Sequence, residues 1–378
     1  MTMGHKIGVV TSGGDAPGMN ACVRAIVKSA RQKDLVIVGI RYGALGLLRN
    51  RREDFIELKD EHVVRKINQS GTFLKTARSQ QVYEYLSQLE FVRALNIKPK
   101  DLLGTEVGRK LLGDLAKDAI EKHKIDALIF IGGDTTCRAT LAINQVFNNQ
   151  LPMVVIPATI DNDVHSTKQT LGFESAVTAA VHSVDNIRAS AESHSRIFII
   201  EVMGRKHGFI AQAVGLACGA EEVLVPEMRW GKKEIEQLVE RLLQARRNKR
   251  ESAIIIIAEG VNLSGLDGFG QENNTPSTIL KREIARRIPD WEVRVSILGH
   301  LQRGAPPTPY TRILASRLGI AAVDYITNLL IKATHSKPML LGVTGRDAFK
   351  LYPIHGDMIK KSQNEIVGFH QLCVRLSY

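Results

Sequence analysis

The sequence predicts an α/β protein of two doubly wound, mainly parallel-sheet domains. Three observations predict it. Short, wholly apolar runs of strand length alternate with stretches that are apolar on one helical face. Gly-rich turns join several of those runs to the helices that follow. The alternation restarts after about residue 172, so the chain reads as two α/β layers. Strands that are apolar at every position are buried on both faces, as in a parallel sheet covered by helices.

The elements follow in order. Ile7–Val10 reads as the first strand, leading through Thr11-Ser12-Gly13-Gly14-Asp15 to a helix from about Gly18. On that helix Met19, Val23, Ile26, Val27 and Ala30 form one apolar stripe, and Pro17 suits its first turn. Val36–Ile40 is a second strand, followed by a turn at Gly43–Gly46. Residues 106–123 form an amphipathic helix, and Ala127–Ile131 is a strand ending in Gly132-Gly133-Asp134. Met153–Ile156 is a strand that leads into Thr159-Ile160-Asp161-Asn162-Asp163. After the restart, Ala176–Ala189 and Lys233–Arg247 read as helices, and Ile197–Val202, Glu221–Val225 and Ala253–Ala258 as strands. Asn262–Ser277 reads as a polar loop, and residues 79–105 lack a period and read as an insertion.

A chain of 378 residues holds two domains or one large one. The longest uninterrupted apolar run, near Ala253–Ala258, is strand-sized and too short to span a bilayer. A strand pattern starting at Lys6 leaves no room for a signal peptide, so a cytoplasmic protein is expected. Cys22, Cys137, Cys218 and Cys373 show no CxxC spacing, which suits a reducing compartment without a disulfide framework or structural zinc. The net charge of +12 would suit nucleic acid, a membrane surface or an anionic small molecule. Aromatic residues are only 5% and do not interleave with the basic clusters, so a nucleic-acid stacking platform is not expected. The cluster Arg246–Arg250 reads as the solvated end of a helix.

Open α/β sheets bind ligands beyond the carboxyl ends of their strands. Three strand ends here carry suitable loops. Gly13-Gly14 lets backbone approach an anion closely, and the next helix presents free N–H groups. Asp134, in Gly132-Gly133-Asp134-Thr135-Thr136, is placed to hold Mg²⁺, although Asp134, Thr135 or Thr136 could equally cap a helix. Asp161 and Asp163 put two carboxylates at a strand end, where each needs solvation or a cation. Phosphoryl transfer requires a base, a metal and cations, and two carboxylates can divide the first two tasks. Arg78, Arg196, Arg205, Arg294, His300 and Arg303 supply cations in Gly-punctuated segments or around apolar strands.

These motifs, T-S-G-G-D-A-P-G-M-N (11–20), G-G-D (132–134), T-I-D-N-D (159–163), E-V-M-G-R (201–205) and L-G-H-L-Q-R-G (298–304), occur in the order of the phosphofructokinase family, which the chain resembles over nearly its whole length. The resemblance implies transfer of a phosphoryl group from ATP to the 1-hydroxyl of fructose 6-phosphate, with the active site lying between the two domains. It implies a donor domain of residues 1–172 plus about 302–350 and a sugar-phosphate domain of 173–301 plus about 351–378. Asp161 would be the general base, and Asp134 and Asp163 would hold Mg²⁺. Thr159 would contact the moving phosphoryl group, with Gly14, Arg78 and Arg205 stabilising the transition state. Gly133, Thr135 and Thr136 would join Gly14, Arg78 and Asp134 in binding the donor. Met203, Glu259, His300 and Arg303 would hold the sugar phosphate, with Arg196 and Arg294 reaching in from a neighbouring subunit of a homo-oligomer, dimer or tetramer. Bidentate arginines suit a dianionic sugar phosphate.

The chain departs from the family pattern at the donor. Family members that use ATP carry Gly after G-G-D and pyrophosphate users carry Asp, whereas this chain has Thr135. Pyrophosphate users carry Lys before T-I-D-N-D, and this chain has the small Ala158. An aromatic near the nucleoside in some relatives is replaced by Ala44. ATP is the expected donor, pyrophosphate is the alternative, and a catalytically reduced sugar-phosphate-binding subunit is a third reading. Arg24, Lys28, Arg188 and Glu221 match or approximate effector positions of the family. Asp60 stands about where an Arg is expected, so weak or altered regulation by phosphorylated effectors is predicted.

Overall fold

The computed structural model describes residues 4–94, 105–271, 274–345 and 348–355. Residues 95–104 of the predicted insertion, Cys373 and most of the predicted 351–378 segment fall outside them. The described chain divides into two compact units. The first takes the residues up to Thr159, Asp163–Gly172 and those from Pro306; the second takes Ile160–Asn162 and Phe173–Ala305.

The first unit opens with β1 (Lys6–Thr11), α1 (Met19–Arg31), β2 (Val36–Ile40), α2 (Ala44–Arg49), β3 (Phe55–Glu57) and α3 (Asp60–Val63). Two short helices, α4 (Ser79–Ser87) and α5 (Glu90–Ala94), follow in the segment read as an insertion. They bury Val82, Leu86 and Val92 in the same core as Leu45 and Leu112. Next come α6 (Glu106–Lys122), β4 (Ala127–Gly132), α7 (Asp134–Phe147), β5 (Met153–Thr159) and the short β6 (Leu171–Gly172). The second unit contributes α8 (Phe173–Ser193), β7 (Ile197–Val202), α9 (Phe209–Cys218), β8 (Glu222–Leu224), α10 (Lys232–Arg247), β9 (Ala253–Ala258), α11 (Pro276–Arg287) and β10 (Val293–Ile297). The chain then returns to the first unit with α12 (Pro309–Lys332), β11 (Met339–Val343) and β12 (Phe349–Pro353).

The sheet of the first unit runs β12-β11-β5-β4-β1-β2-β3, with β6 paired to β5. Its interior pairs are parallel, and β3 and β12 add antiparallel edges. β4 lies between β1 and β5 and is buried at every residue, which is why its sequence is apolar throughout. α1 buries more than the predicted stripe because α12 packs along it. A Cβ on Gly319 of α12 would come within 2.9 Å of both Ala25 Cβ and Cys22 O, so only glycine permits this approach. That packing absorbs the apolarity of α12, whose Leu314, Leu318, Ala322 and Ile326 are buried. Pro17 lies just before the α1 cap, which is Gly18 with φ 93°, and not inside the first turn.

The sheet of the second unit runs β10-β7-β9-β8, all parallel. β9 (AIIIIA) is wholly buried in its interior. The predicted polar loop ends earlier than expected. Thr275 caps α11 through its hydroxyl, which accepts from Thr278 N at 3.4 Å, and Pro276 takes the first helical position. Arg246, in the last turn of α10, has its guanidinium over the Trp291 ring, 5.3 Å from the centroid. Residues 246–250 are exposed, as read for the solvated end of a helix.

Candidate active site

From β1 the chain goes to β2 on one side and later returns to β4 on the other. The carboxyl ends of β1 and β4 therefore flank a topological switch point, where open α/β sheets form their ligand crevice. Ser12 N donates to Ile131 O at 3.0 Å, and Thr136 Oγ1 donates to Ser12 O at 3.3 Å. A Cβ on Gly132 would lie 2.2 Å from Thr136 Oγ1 and 2.4 Å from Ser12 O, so the two loops touch only because that residue is glycine. Gly13 takes φ 89°, a turn open to glycine, and delivers the chain to Gly14.

Gly133 caps α7, and its cap has no side-chain hydrogen bond. The capping role that sequence alone allowed for Asp134, Thr135 or Thr136 is therefore not taken. Asp134 is the first helical residue, with Arg138 one turn on at 3.4 Å. Thr135 is exposed, whereas Thr136 is buried with its hydroxyl engaged to Ser12 O. A 14-residue helix thus points its positive end and one carboxylate out of the switch point.

Thr159 is the last residue of β5, and its carbonyl accepts from Thr170 Oγ1 at 2.7 Å. A Cβ on Gly133 would stand 3.5 Å from Thr159 Cβ, so the end of β4 and the end of β5 are near neighbours. Asn162 adopts φ 50°, and this left-handed residue ends the extended course of the motif. Asp161 and Asp163 are both half-buried on either side of it. Among the described residues no group of three or more His, Cys, Asp and Glu side chains forms a metal cage. Mg²⁺ needs no such cage, since it takes one or two protein carboxylates and completes its shell with water and phosphate oxygens.

Arg78 is the cap residue before α4 and is exposed. The loop before it is laced to the first glycine loop by contacts that sequence reasoning missed. Asn20 Nδ2 donates to Ser70 O at 3.0 Å, and Phe73 N donates to Asn20 Oδ1 at 2.8 Å. Thr76 Oγ1 donates to Gly13 O at 2.8 Å, and Thr11 Oγ1 to Lys75 O at 3.0 Å. The signal available was polar residues, Asn20 and Thr76, inside otherwise explained motifs.

In the second unit the carboxyl ends of β7, β9 and β10 converge. Glu259 N donates to Val202 O at 2.9 Å and Leu298 N to Glu201 O at 2.9 Å. Met203 N donates to Gln302 Oε1 at 2.7 Å. These bonds gather the segments of Met203, Arg205, Glu259, His300 and Arg303 at one end of the sheet. Arg205, Glu259 and His300 are exposed and Arg303 is half-buried. Glu201, unforeseen in the sequence, is a buried acid whose Oε2 accepts from Ser277 N at 3.1 Å and Ser277 Oγ at 2.5 Å. It ties α11 to β7.

Arg196 and Arg294 are not part of that gathering. Arg196 precedes β7 and Arg294 is the second residue of β10, so both lie toward the amino ends of their strands. The length of β7, about 17 Å at about 3.3 Å per residue, separates them from Met203 and its neighbours. Both arginines pair with Glu292. The hydrogen bond from Arg196, with the charges of both guanidinium groups, holds the Glu292 carboxyl below its ordinary range. One copy of the chain therefore does not assemble all six predicted sugar-site residues.

The phosphofructokinase family model matches residues 6–326. Curated proteins named ATP-dependent 6-phosphofructokinase align over most of their length. That of Lactobacillus delbrueckii subsp. bulgaricus is 37% identical over 85% of this chain and 86% of its own. That of Natranaerobius thermophilus is 36% identical over 98% and 99%. Among solved structures, Pichia pastoris phosphofructokinase in the T-state is 26% identical with a TM-score of 0.77; this chain is covered completely and spans 40% of that chain. A pyrophosphate-dependent phosphofructokinase from Marinobacter aquaeolei shares the fold, with a TM-score of 0.68 at 19% identity, over 98% of this chain and 91% of that one. With its strand-end loops, its two parallel sheets and these relatives, the chain belongs to the phosphofructokinase family.

Proposed function

We propose that this chain transfers the terminal phosphoryl group of ATP to the 1-hydroxyl of fructose 6-phosphate, giving ADP and fructose 1,6-bisphosphate, a step of glycolysis. The observation that carries this is the meeting of the Gly13–Gly14 loop, the Asp134 helix end and the end of β5 at one switch point. In this reading the donor is bound by residues 1–172 and about 302–350, and the sugar phosphate by 173–301 and about 351–378. The Asp161 carboxylate takes the proton of the 1-hydroxyl as its oxygen attacks the phosphorus and ADP departs. Thr159 positions the phosphoryl group, while Gly14 N–H, Arg78 and Arg205 neutralise charge on its oxygens. Asp134 and Asp163 would hold Mg²⁺, which supplies further neutralisation on the donor phosphates. Gly133, Thr135 and Thr136 complete the donor loop. Met203, Glu259, His300 and Arg303 hold the sugar phosphate. Arg196 and Arg294 lie at the other end of their sheet, which supports a homo-oligomer in which they serve a partner's site.

Ala158 favours ATP over pyrophosphate. It is 1% exposed within β5, so a lysine ammonium there would need its own buried partner. The relatives named as ATP-dependent support the same donor. Thr135 keeps pyrophosphate as a second reading, because neither donor class of the family carries Thr there. Turnover of fructose 6-phosphate with ATP and with pyrophosphate, assayed side by side, is expected to show preference for ATP. Preference for pyrophosphate would install the second reading. Absence of turnover with either donor, beside tight sugar phosphate binding, would make the chain a binding subunit.

A further inference from the structure

Beside the Gly13–Gly14 loop lies a cluster of cations that no step above uses. Tyr42 is its hub. Lys75 Nζ donates to the Tyr42 hydroxyl at 3.1 Å, and the same ammonium lies 5.1 Å from the ring centroid. The guanidinium carbons of Arg41 and Arg49 stand 5.3 and 4.7 Å from that centroid. Arg49 is engaged by the buried Asp54 at 3.0 Å. Arg41 and Lys75 are held by the tyrosine, a neutral partner that orders a cation without cancelling its charge.

The cluster is fixed to the phosphate loop. Tyr42 N donates to Leu74 O at 3.0 Å, and Thr11 Oγ1 donates to Lys75 O at 3.0 Å. A Cβ on Gly43 would fall 2.7 Å from Thr11 O and 3.2 Å from Ser12 Cα, so Tyr42 emerges hard against that loop. Tyr42 and Lys75 both adopt left-handed backbone, at φ 61° and 59°. Residues with side chains seldom take that conformation, and it gathers at ligand clamps, where surrounding contacts hold it in place. Two such residues in neighbouring loops, bonded to each other, mark a built feature.

We propose that Lys75 and Arg41, presented by Tyr42, form a phosphate subsite that takes the non-transferred phosphates of the phosphoryl donor. The chemistry recognised is a polyphosphate chain. The subsite rests on the reading of the Gly13–Gly14 loop as the donor loop and extends it. The lowered ionisation range of the Tyr42 hydroxyl, caused first by the hydrogen bond from Lys75 and then by its charge, agrees with a positive surrounding.

The test uses Lys75→Asn, since asparagine tolerates left-handed backbone while the ammonium and its reach are lost. Losing one charged contact to phosphate is expected to raise the KM for ATP about tenfold. The KM for fructose 6-phosphate should stay within about twofold, and Lys75→Arg should restore the ATP value. Tyr42→Phe keeps the ring and removes the hydroxyl, and should raise the ATP KM by a smaller factor. Calorimetric titration with tripolyphosphate should show the same order of weakening. Unchanged ATP KM and unchanged tripolyphosphate affinity in Lys75→Asn would overturn the subsite, as would an equal rise in both KM values. If Lys75→Asn does not fold, Arg41→Gln carries the same expectations. A wild-type protein that binds tripolyphosphate through Lys75 yet turns over no ATP would keep the subsite and remove the proposed activity.

Discussion

Asp161 and Asp163 are two residues apart, with the left-handed Asn162 between them. Ile160–Asn162 groups with the second unit and Asp163 with the first. Asp161→Ser is expected to lower turnover roughly 10²–10⁴-fold, with an unchanged melting curve. Full activity in that variant would remove Asp161 from the mechanism. Asp60 is a second residue whose meaning the structure sharpens. Rather than simply opposing an anion, it engages Lys28 at 2.8 Å and also pairs with Arg31. The Lys28 hydrogen bond, with the two positive charges, lowers its carboxyl from the ordinary 3.8. A lowered acid stabilises the fold above its unfolded pKa and loses that effect as pH falls through the folded value. Urea midpoints of wild type and Asp60→Asn should therefore differ at pH 7 and converge as the pH drops below about 4. Arg188 is likewise engaged, donating to Cys218 O at 2.6 Å. With Lys28 and Arg188 occupied, activity should change little on adding a nucleoside diphosphate or phosphoenolpyruvate. Strong sigmoidal inhibition by the latter would sink that expectation.

At the scale of elements, apolar runs located the central strands almost to the residue, because a strand buried on both faces leaves no polar position to blur its ends. Ile197–Val202 and Ala253–Ala258 agree with β7 and β9. Edge elements were harder to read. β12 is only half-buried and carries Lys350, so it lacks an apolar signature. α4 and α5 were hidden because short helices show too little period, although Val82, Leu86 and Val92 are buried. The β4–α7 junction holds the proposed donor loop. Gly132→Ala would force apart Thr136 Oγ1 and Ser12 O and should cost about 1–3 kcal/mol of stability. The ATP KM should rise as the two loops separate. A variant with wild-type urea midpoint and wild-type KM would show that the junction yields freely.

At the scale of the whole molecule, the question is how the six predicted sugar-site residues meet. Arg196 and Arg294 lie at the amino ends of strands whose carboxyl ends carry Met203 and the His300 segment. Sites shared by neighbouring copies predict complementation. Asp161→Ser and Arg294→Ala proteins should each be nearly inactive, and an equal, randomly assorted mixture should regain up to about a quarter of wild-type activity, because about half of the pairs are mixed and one of the two sites in each is intact. No recovery on co-refolding would place each site within a single copy. The sequence by itself determined the layer type, the central strands and most candidate residues, because these follow from local apolar period and from glycines that only certain turns require. Only the tertiary structure decided which strand ends are neighbours, that Gly133 caps α7 in place of its polar neighbours, that Asn20 and Thr76 lace the Arg78 loop to Gly13, and that Arg196 and Arg294 stand apart from the other predicted sugar-site residues. Those outcomes depend on strand order and on contacts between residues far apart in the chain, which no local period encodes.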